Sequence, residues 1–334
     1  MADDVPIKVG TAQIPLTEFL RRCTHTLDGG SDAQADPELK AARDTFLGAG
    51  ISALRLAAPE ATWLQYGLEP RPERMGDLYA AIDATARELL QEEKADGFFF
   101  MHKPPGLRVR FETAGSRRSR LDSLLEDRVR SWNSEGLIAA WCRGVYESES
   151  YLFGGPDSMR SVHRVFAADS LAWLGYHQLA RKPVVDGPPG PCWAMSLVLI
   201  RSLCDALEIV GWEDLDVWDR VRRQTWRQLA ADTSGNEEFA RLTRCLRQGW
   251  DNPDELTALL SPGARTLVDE YRRSIAREGA RWLADYFMAP QAAVGPREAA
   301  AYAIVFHWNR GCFPLARQSL ITEALAARPP VGPP

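Results

Sequence analysis

Tyr146, Glu147, Glu149 and Tyr151 crowd into the run VYESESY, directly ahead of a Gly154-Gly155-Pro156 break. A phenol can donate or hold a proton beside a reacting group, and a carboxylate can orient a phenol or a guanidinium. Ion pairing would keep both glutamates charged and weakly basic, so orientation is their expected part. No other segment sets as much polar chemistry between apolar neighbours, and residues 145–170 are read as one wall of an active site. Further along that wall, Met159, Val162, Phe166, Trp173 and Leu174 mark the apolar face of a helix. That periodicity brings His163 and Ser170 to one side, with Asp169 next to Ser170. His163 reads equally well as a satisfied core histidine.

Two other groups carry chemistry. In Leu107-Arg108-Val109-Arg110-Phe111-Glu112 the alternation sends the apolar residues to a core and both arginines to the opposite face. That face is either solvated or a grip for carboxylate and amide oxygens, which the planar guanidinium fork suits. In the helix expected over 296–310, Ala303, His307 and Arg310 share a face with Asn309 beside them. A histidine, an amide and an arginine are costly to bury unpartnered, so they either cap the helix end toward solvent or face a cleft.

The elements that must position these groups read as follows. Residues 1–70 form short elements, with helices over 16–27 and 37–47, a loop over 28–32 and Gly48 as a stop. An amphipathic helix spans 72–94, and strands follow around Phe98-Phe99-Phe100-Met101 and Leu107–Glu112. The segment 116–131, with Arg117, Arg118, Arg120, Arg128 and Arg130, is a solvated helix face or a surface for an acidic peptide. A buried strand over 137–146 delivers the tyrosine-glutamate run, and Pro156 opens the next helix. After a breaker-rich loop at 182–191, helices are expected over 192–209, 218–231, 236–248, 253–260, 264–287 and 296–310. The tryptophans of this half, among them Trp193, Trp212, Trp218, Trp226, Trp250 and Trp282, read as core. The expected fold class is α+β, a mixed sheet in the first half packed with a largely helical second half. The division is 1–70 as an N-terminal segment, 71–327 as the catalytic domain, and 328–334 as a disordered tail.

The 334 residues, 45% of them hydrophobic, allow a large core, and the formal charge of −5 argues against a general nucleic-acid partner. Six cysteines without a C-x-x-C pair fit a reduced, cytoplasmic compartment. Five histidines without H-x-x-x-H spacing present no metal motif. No run approaches the roughly 20 apolar residues of a membrane span, so no membrane partner is expected.

Three blocks resemble one family. FFFMHKPPGLRVRFE, VYESESYLFGGPDSMRSVHRVFAADS and VFHWNR are similar to signatures of the lantibiotic dehydratase carboxy-terminal (glutamate elimination) domain and its thiopeptide relatives, over about residues 60 to 315. The resemblance implies that family's fold and one of two activities. One is removal of glutamate from glutamylated Ser or Thr; the other, in stand-alone relatives, joins two dehydroalanines by a formal [4+2] aza-cycloaddition, losing water and leader peptide to make a pyridine macrocycle. No cofactor is implied. The implied partner is a leader-bearing, azole- and dehydroalanine-containing precursor peptide, with upstream dehydratase subunits as further partners and residues 1–70 and 117–130 as leader-docking regions.

Eliminating members resemble Y-E-R-E-x-x-R-Y-G-G, whereas this chain carries Ser148 and Leu152 at the arginine positions. That favours the pyridine synthase branch over a stand-alone lyase or a non-catalytic peptide scaffold. Under this reading Tyr146, Ser170 or Tyr176 hydrogen-bonds the reacting amide and His307 assists dehydration. Arg108, Arg110 and Arg310 bind carbonyl oxygens, while Glu147, Ser148, Glu149, Asp169 and Asn309 complete the substrate wall.

Overall fold

A computed structural model describes residues 5–27, 36–57, 62–181, 187–229 and 237–327, in two compact units that divide between 61 and 62. In the first unit, β1 (Pro6–Val9) and β2 (Ala12–Pro15) form an antiparallel hairpin, followed by α1 (Leu16–Leu27) and α2 (Pro37–Ala57). Gly10 turns the hairpin at φ 58, a left-handed angle that glycine adopts without strain. Val9, Phe19 and Cys23 make its small core. The helix expected to stop at Gly48 runs through it, because an interior glycine weakens a helix by only about 1 kcal/mol. The 28–32 loop, residues 182–186 and the 328–334 tail lie outside the described residues.

The second unit starts on β3 (Thr62–Pro70), so the boundary expected after residue 70 falls earlier. β3 is an inner strand of a four-stranded sheet and cannot be detached from it. With α3 (Met75–Gln91), β4 (Gly97–Lys103), β5 (Gly106–Thr113), α4 (Arg118–Ser134) and β6 (Ile138–Gly144) it builds a β-α-β-β-α-β unit with strand order β4-β5-β3-β6. Every pairing is antiparallel, where a mixed sheet was expected. One face carries Leu64, Tyr66, Leu68, Phe98, Phe100, Leu107, Val109 and Phe111, all buried, with Tyr79 of α3 packed against Phe100. The register puts Trp63, Gln65, Gly67, Phe99, Met101, Arg108, Arg110 and Glu112 on the other face. β6 is an edge strand exposed over most of its length, not the buried strand its apolar residues suggested.

The helical half consists of α5 (Pro156–Arg181), α6 (Cys192–Ala206), α7 (Glu213–Gln224), α8 (Glu237–Asp251), α9 (Pro253–Ala258), α10 (Pro262–Trp282), α11 (Pro296–Arg310) and α12 (Leu315–Ala326). α5 is its spine, touching β4 and α3 on one side and α10 and α11 on the other. Trp218, Trp250, Trp282 and Trp308 are buried in this core, and the Trp250 indole donates to Asp214 at 2.6 Å. Trp212 and Trp226 are exposed, against expectation. α12 escapes sequence reading because its buried face includes Gln318, Ser319 and Thr322, which hide the apolar period. Among the described residues no helix is long and apolar enough to cross a membrane.

Candidate active site

The sheet face opposite α3 carries the first group. Arg110 is 4% exposed, donates from Nε to Gln65 Oε1 at 2.7 Å, and lies 4.5 Å from the Tyr146 ring and 4.9 Å from Phe99. Burial pulls it down to about 10, so it stays charged at neutral pH. Arg108, half-buried on the same face, donates to the Pro104 carbonyl at 3.1 Å. The two arginines do share a face, but it is a built surface with only one guanidinium reaching outward.

Tyr146 stands at the edge of that face, half-buried, with its hydroxyl 2.9 Å from His163 Nε2. Burial first, then the Glu149 charge, pushes the phenol above its ordinary value and keeps it protonated. Burial and the nearby Arg110 charge lower His163 to about 3, so its ring is neutral. Trp63, Phe99 and Tyr146 enclose the imidazole, which makes the core-histidine reading and the functional one compatible. In the adjoining loop Glu147 and Ser148 are exposed, and Glu149 pairs with Lys103 at 3.7 Å. Leu152 packs against the core.

Ser170 and Asn309 do something that sequence reasoning did not foresee. β4 is the other edge of the sheet, and its outward main-chain groups need partners. Ser170 Oγ accepts the Phe100 N–H at 3.2 Å; Asn309 Oδ1 accepts the His102 N–H and Asn309 Nδ2 donates to the His102 carbonyl, both at 2.8 Å. These side chains complete the sheet edge. Ser170 is fully buried by it, which corrects its expected place at a reacting amide.

Tyr176 is also corrected, since its buried hydroxyl donates to the Gly190 carbonyl at 2.8 Å and pins the loop before α6. The expected alternatives for His307 and Arg310, solvent or a cleft, are both replaced by an interior network. Asp169 Oδ1 is 2.6 Å from His307 Nδ1, Asp169 Oδ2 is 2.9 Å from Arg310 Nη1, and His307 Nε2 is 2.9 Å from Ser196 Oγ. Burial pushes Asp169 up, but the charges and hydrogen bonds of His307 and Arg310 outweigh it and hold the carboxyl below its ordinary range. The Trp173 indole nitrogen also lies 3.1 Å from Nδ1. The shorter, charge-assisted carboxylate contact puts the proton on Nδ1, so the ring cannot also accept from the indole there. Arg310 lies over Phe166 at 4.2 Å, and Nε and Nη2 have no protein partner. The network borders an interior cavity of about 10 Å³, far too small for a peptide.

An open cavity of about 360 Å³ lies at the outer end of β4. Met101, His102, Lys103, Phe306, Asn309 and Cys312 are among its lining residues. It adjoins the arginine face through Met101, which pairs in register with Arg108, and reaches the Tyr146 loop through the Lys103–Glu149 pair. The site is thus the arginine face, the 145–152 loop and this cavity, supported from behind by the Asp169 network. The basic run over 117–130 is largely committed elsewhere: Arg117 pairs with Asp96, Arg128 with Glu88 and Arg130 with Glu126. This reduces the expected leader-docking charge there to Arg118 and Arg120.

Residues 63–327 match the family described as lantibiotic biosynthesis dehydratase C-term. The chain belongs to this family. The fold agrees: the tRNA dependent lantibiotic dehydratase MibB from Microbispora sp. 107891 superimposes with a TM-score of 0.57 at 19% identity, over 79% of this chain and 27% of that one. The chain therefore spans about a quarter of that dehydratase. TsrL gives a TM-score of 0.44 at 16% identity, over 80% of this chain and 93% of its own. No curated protein matches. The lantibiotic dehydratase C-terminal family is one of biosynthetic enzymes, and its matched span leaves out the hairpin unit before residue 62.

Proposed function

We propose that this chain joins two dehydroalanines of a leader-bearing precursor peptide by a formal [4+2] aza-cycloaddition. The observation that carries the reading is the pair of positions 148 and 152. An exposed Ser148 and a core-packed Leu152 stand where a glutamyl-eliminating site would present guanidinium groups. The neighbouring Lys103 is paired with Glu149, and Arg110 is engaged by Gln65 and stacked on Tyr146. What the face offers instead is hydrogen-bond donors for peptide oxygens.

In the reaction one dehydroalanine and its preceding amide form an iminol azadiene. Two carbon–carbon bonds then close the ring: β-carbon to β-carbon, and the α-carbon of the second dehydroalanine to the amide carbon. The iminol oxygen leaves as water and the leader leaves as its carboxamide, each of the two ring CH₂ groups giving up one proton. Aromaticity is reached without an oxidant. Holding the two dehydroalanines together supplies most of the acceleration, since positioning of this kind is worth roughly 7–11 kcal/mol.

Tyr146, backed by His163, moves the amide N–H proton to the amide oxygen, Arg108 takes peptide carbonyls or developing negative charge, and the buried Arg110 holds the Tyr146 ring in place. His307 is assigned to positioning, together with Asp169 and Arg310. Incubation with a leader-bearing peptide containing two dehydroalanines tests the reading. The expected product is lighter by leader carboxamide plus water; loss of glutamate from a parallel glutamylated peptide would replace the cyclase with a lyase, and binding without turnover would replace it with a scaffold.

A further inference from the structure

His102 on β4, His177 on α5 and Cys312 in the turn after α11 converge at one end of the sheet. One ligating atom of each lies within 4.8 Å of those of the other two. The hydrogen bonds decide which ring nitrogens are unprotonated. His102 Nδ1 is 2.9 Å from the Asn309 carbonyl oxygen, and His177 Nε2 is 2.7 Å from the Arg310 carbonyl oxygen. A carbonyl only accepts, so those nitrogens carry the protons and leave lone pairs on His102 Nε2 and His177 Nδ1. His102 Nε2 is 3.2 Å from Cys312 Sγ and accepts from the Tyr79 hydroxyl at 2.8 Å, a hydrogen bond that a bound ion would replace.

Anchoring the far N–H on a fixed acceptor is how ligating imidazoles are held in orientation and made more basic. Here both anchors are consecutive carbonyls in the last turn of α11, three and two residues before the cysteine. Tyr79 stacks on His177 at 4.7 Å and fixes its plane. Cys312 holds a left-handed φ of 56, a conformation unfavourable for a side chain other than glycine and one that persists where surroundings enforce it. Its surface is exposed, and it lines the 360 Å³ cavity together with His102, so an ion has an entry path and the site keeps an open side.

We propose that His102, His177 and Cys312 bind one divalent zinc-like ion, with the cavity opening on its fourth coordination position. Two imidazoles and a thiolate are a donor set that suits zinc, and three protein ligands with an accessible fourth position characterise reactive zinc sites. Zn–N near 2.0–2.1 Å and Zn–S near 2.3 Å in a tetrahedron place donors about 3.3–3.6 Å apart. The Cys312–His102 contact of 3.2 Å is a few tenths of an ångström inside that spacing, and no separation in the cluster exceeds 4.8 Å. The site is independent of the cycloaddition reading.

The test uses the full chain, stripped with a chelator and titrated with Zn²⁺ and, in parallel, with Co²⁺. One equivalent should bind, and Co²⁺ should give a thiolate charge-transfer band with intense tetrahedral d–d absorption. Cys312→Gly is the informative variant because glycine relaxes the left-handed backbone: the melting temperature should hold or rise while the charge-transfer band vanishes and Zn²⁺ affinity falls at least about tenfold. His177→Gln, checked for folding by near-UV circular dichroism, should lose affinity likewise. Failure of the stripped protein to bind an equivalent, or binding that Cys312→Gly leaves intact, overturns the proposal.

Discussion

The Tyr146 hydroxyl and His163 Nε2 meet at 2.9 Å where the strand-following loop folds back on α5, beneath the Arg110 guanidinium. Of the three hydroxyls that could serve a reacting amide, this one is attached to a base and reaches the open face; Ser170 and Tyr176 are spent on main-chain groups. Tyr146→Phe keeps the ring that stacks on Arg110 and removes only the proton carrier. Conversion of the bis-dehydroalanine peptide, followed by mass spectrometry, should slow by about 10²–10⁴-fold. Stability should change by no more than about 1.5 kcal/mol, the value of one hydrogen bond. A variant that turns over at the wild-type rate removes Tyr146 from the chemistry.

His163 makes a pH signature. Its folded value is lowered to about 3 by burial and by Arg110, whereas the unfolded chain protonates near 6.5. The unfolded state binds that proton first, so this contribution to stability is complete above about pH 6.5 and erodes down to about pH 3, by up to about 1.4 kcal/mol per pH unit. Urea midpoints measured from pH 7.5 to 4.5 should show the fall, and His163→Gln should reduce its slope by one proton's worth. An unchanged slope in that variant would place the ring's charge elsewhere.

Legibility in the sequence followed the range of the physics involved. The Leu107–Phe111 alternation declares a strand face within a few residues, and the register then carries Arg108 and Arg110 to the same side. The helix from Pro296 to Arg310 is announced by its proline start and its glycine end, and its polar residues are correctly marked as needing partners. Who the partners are depends on tertiary packing. Ser196 sits in the apolar run CWAMSLVLIRSLCDA and reaches His307 across a separation of 111 residues, which no spacing rule encodes. Asn309 and Ser170 attract attention as polar groups, but their task at the β4 edge becomes visible only once that strand has an edge. The same holds for His102, His177 and Cys312, drawn from three elements.

Asp169 and Arg310 are mutually dependent, since the guanidinium is fully buried and the carboxylate is its only hydrogen-bonded ion partner among the described residues. Asp169→Asn preserves shape and removes the charge. Leaving a buried cation uncompensated costs about 3–5 kcal/mol, so chemical denaturation should register a loss of that order. The double change Asp169→Asn with Arg310→Met should recover a large part of it, because the orphaned charge goes with the arginine. A double-variant loss equal to the sum of the Asp169→Asn and Arg310→Met losses would mean that the pair contributes no coupling.

Asn309 separates a structural role from a binding one. Its amide satisfies both main-chain groups of His102 while its flank lines the open cavity, so substitution can act through the fold, through substrate, or through both. Truncation to alanine removes the two hydrogen bonds and leaves the β4 edge groups without their partner, at about 1–3 kcal/mol for each group that water does not reach. The expected outcome for Asn309→Ala is therefore a stability loss of that order, with amide hydrogen exchange accelerating at His102 and its neighbours along β4. A residue acting only on peptide would instead raise KM at unchanged stability and exchange. Because the edge hydrogen bonds involve main-chain atoms, no substitution at position 102 can restore them, whereas Asn309→Gln can do so only by shifting α11 away from the strand; it should fall between wild type and alanine in exchange protection.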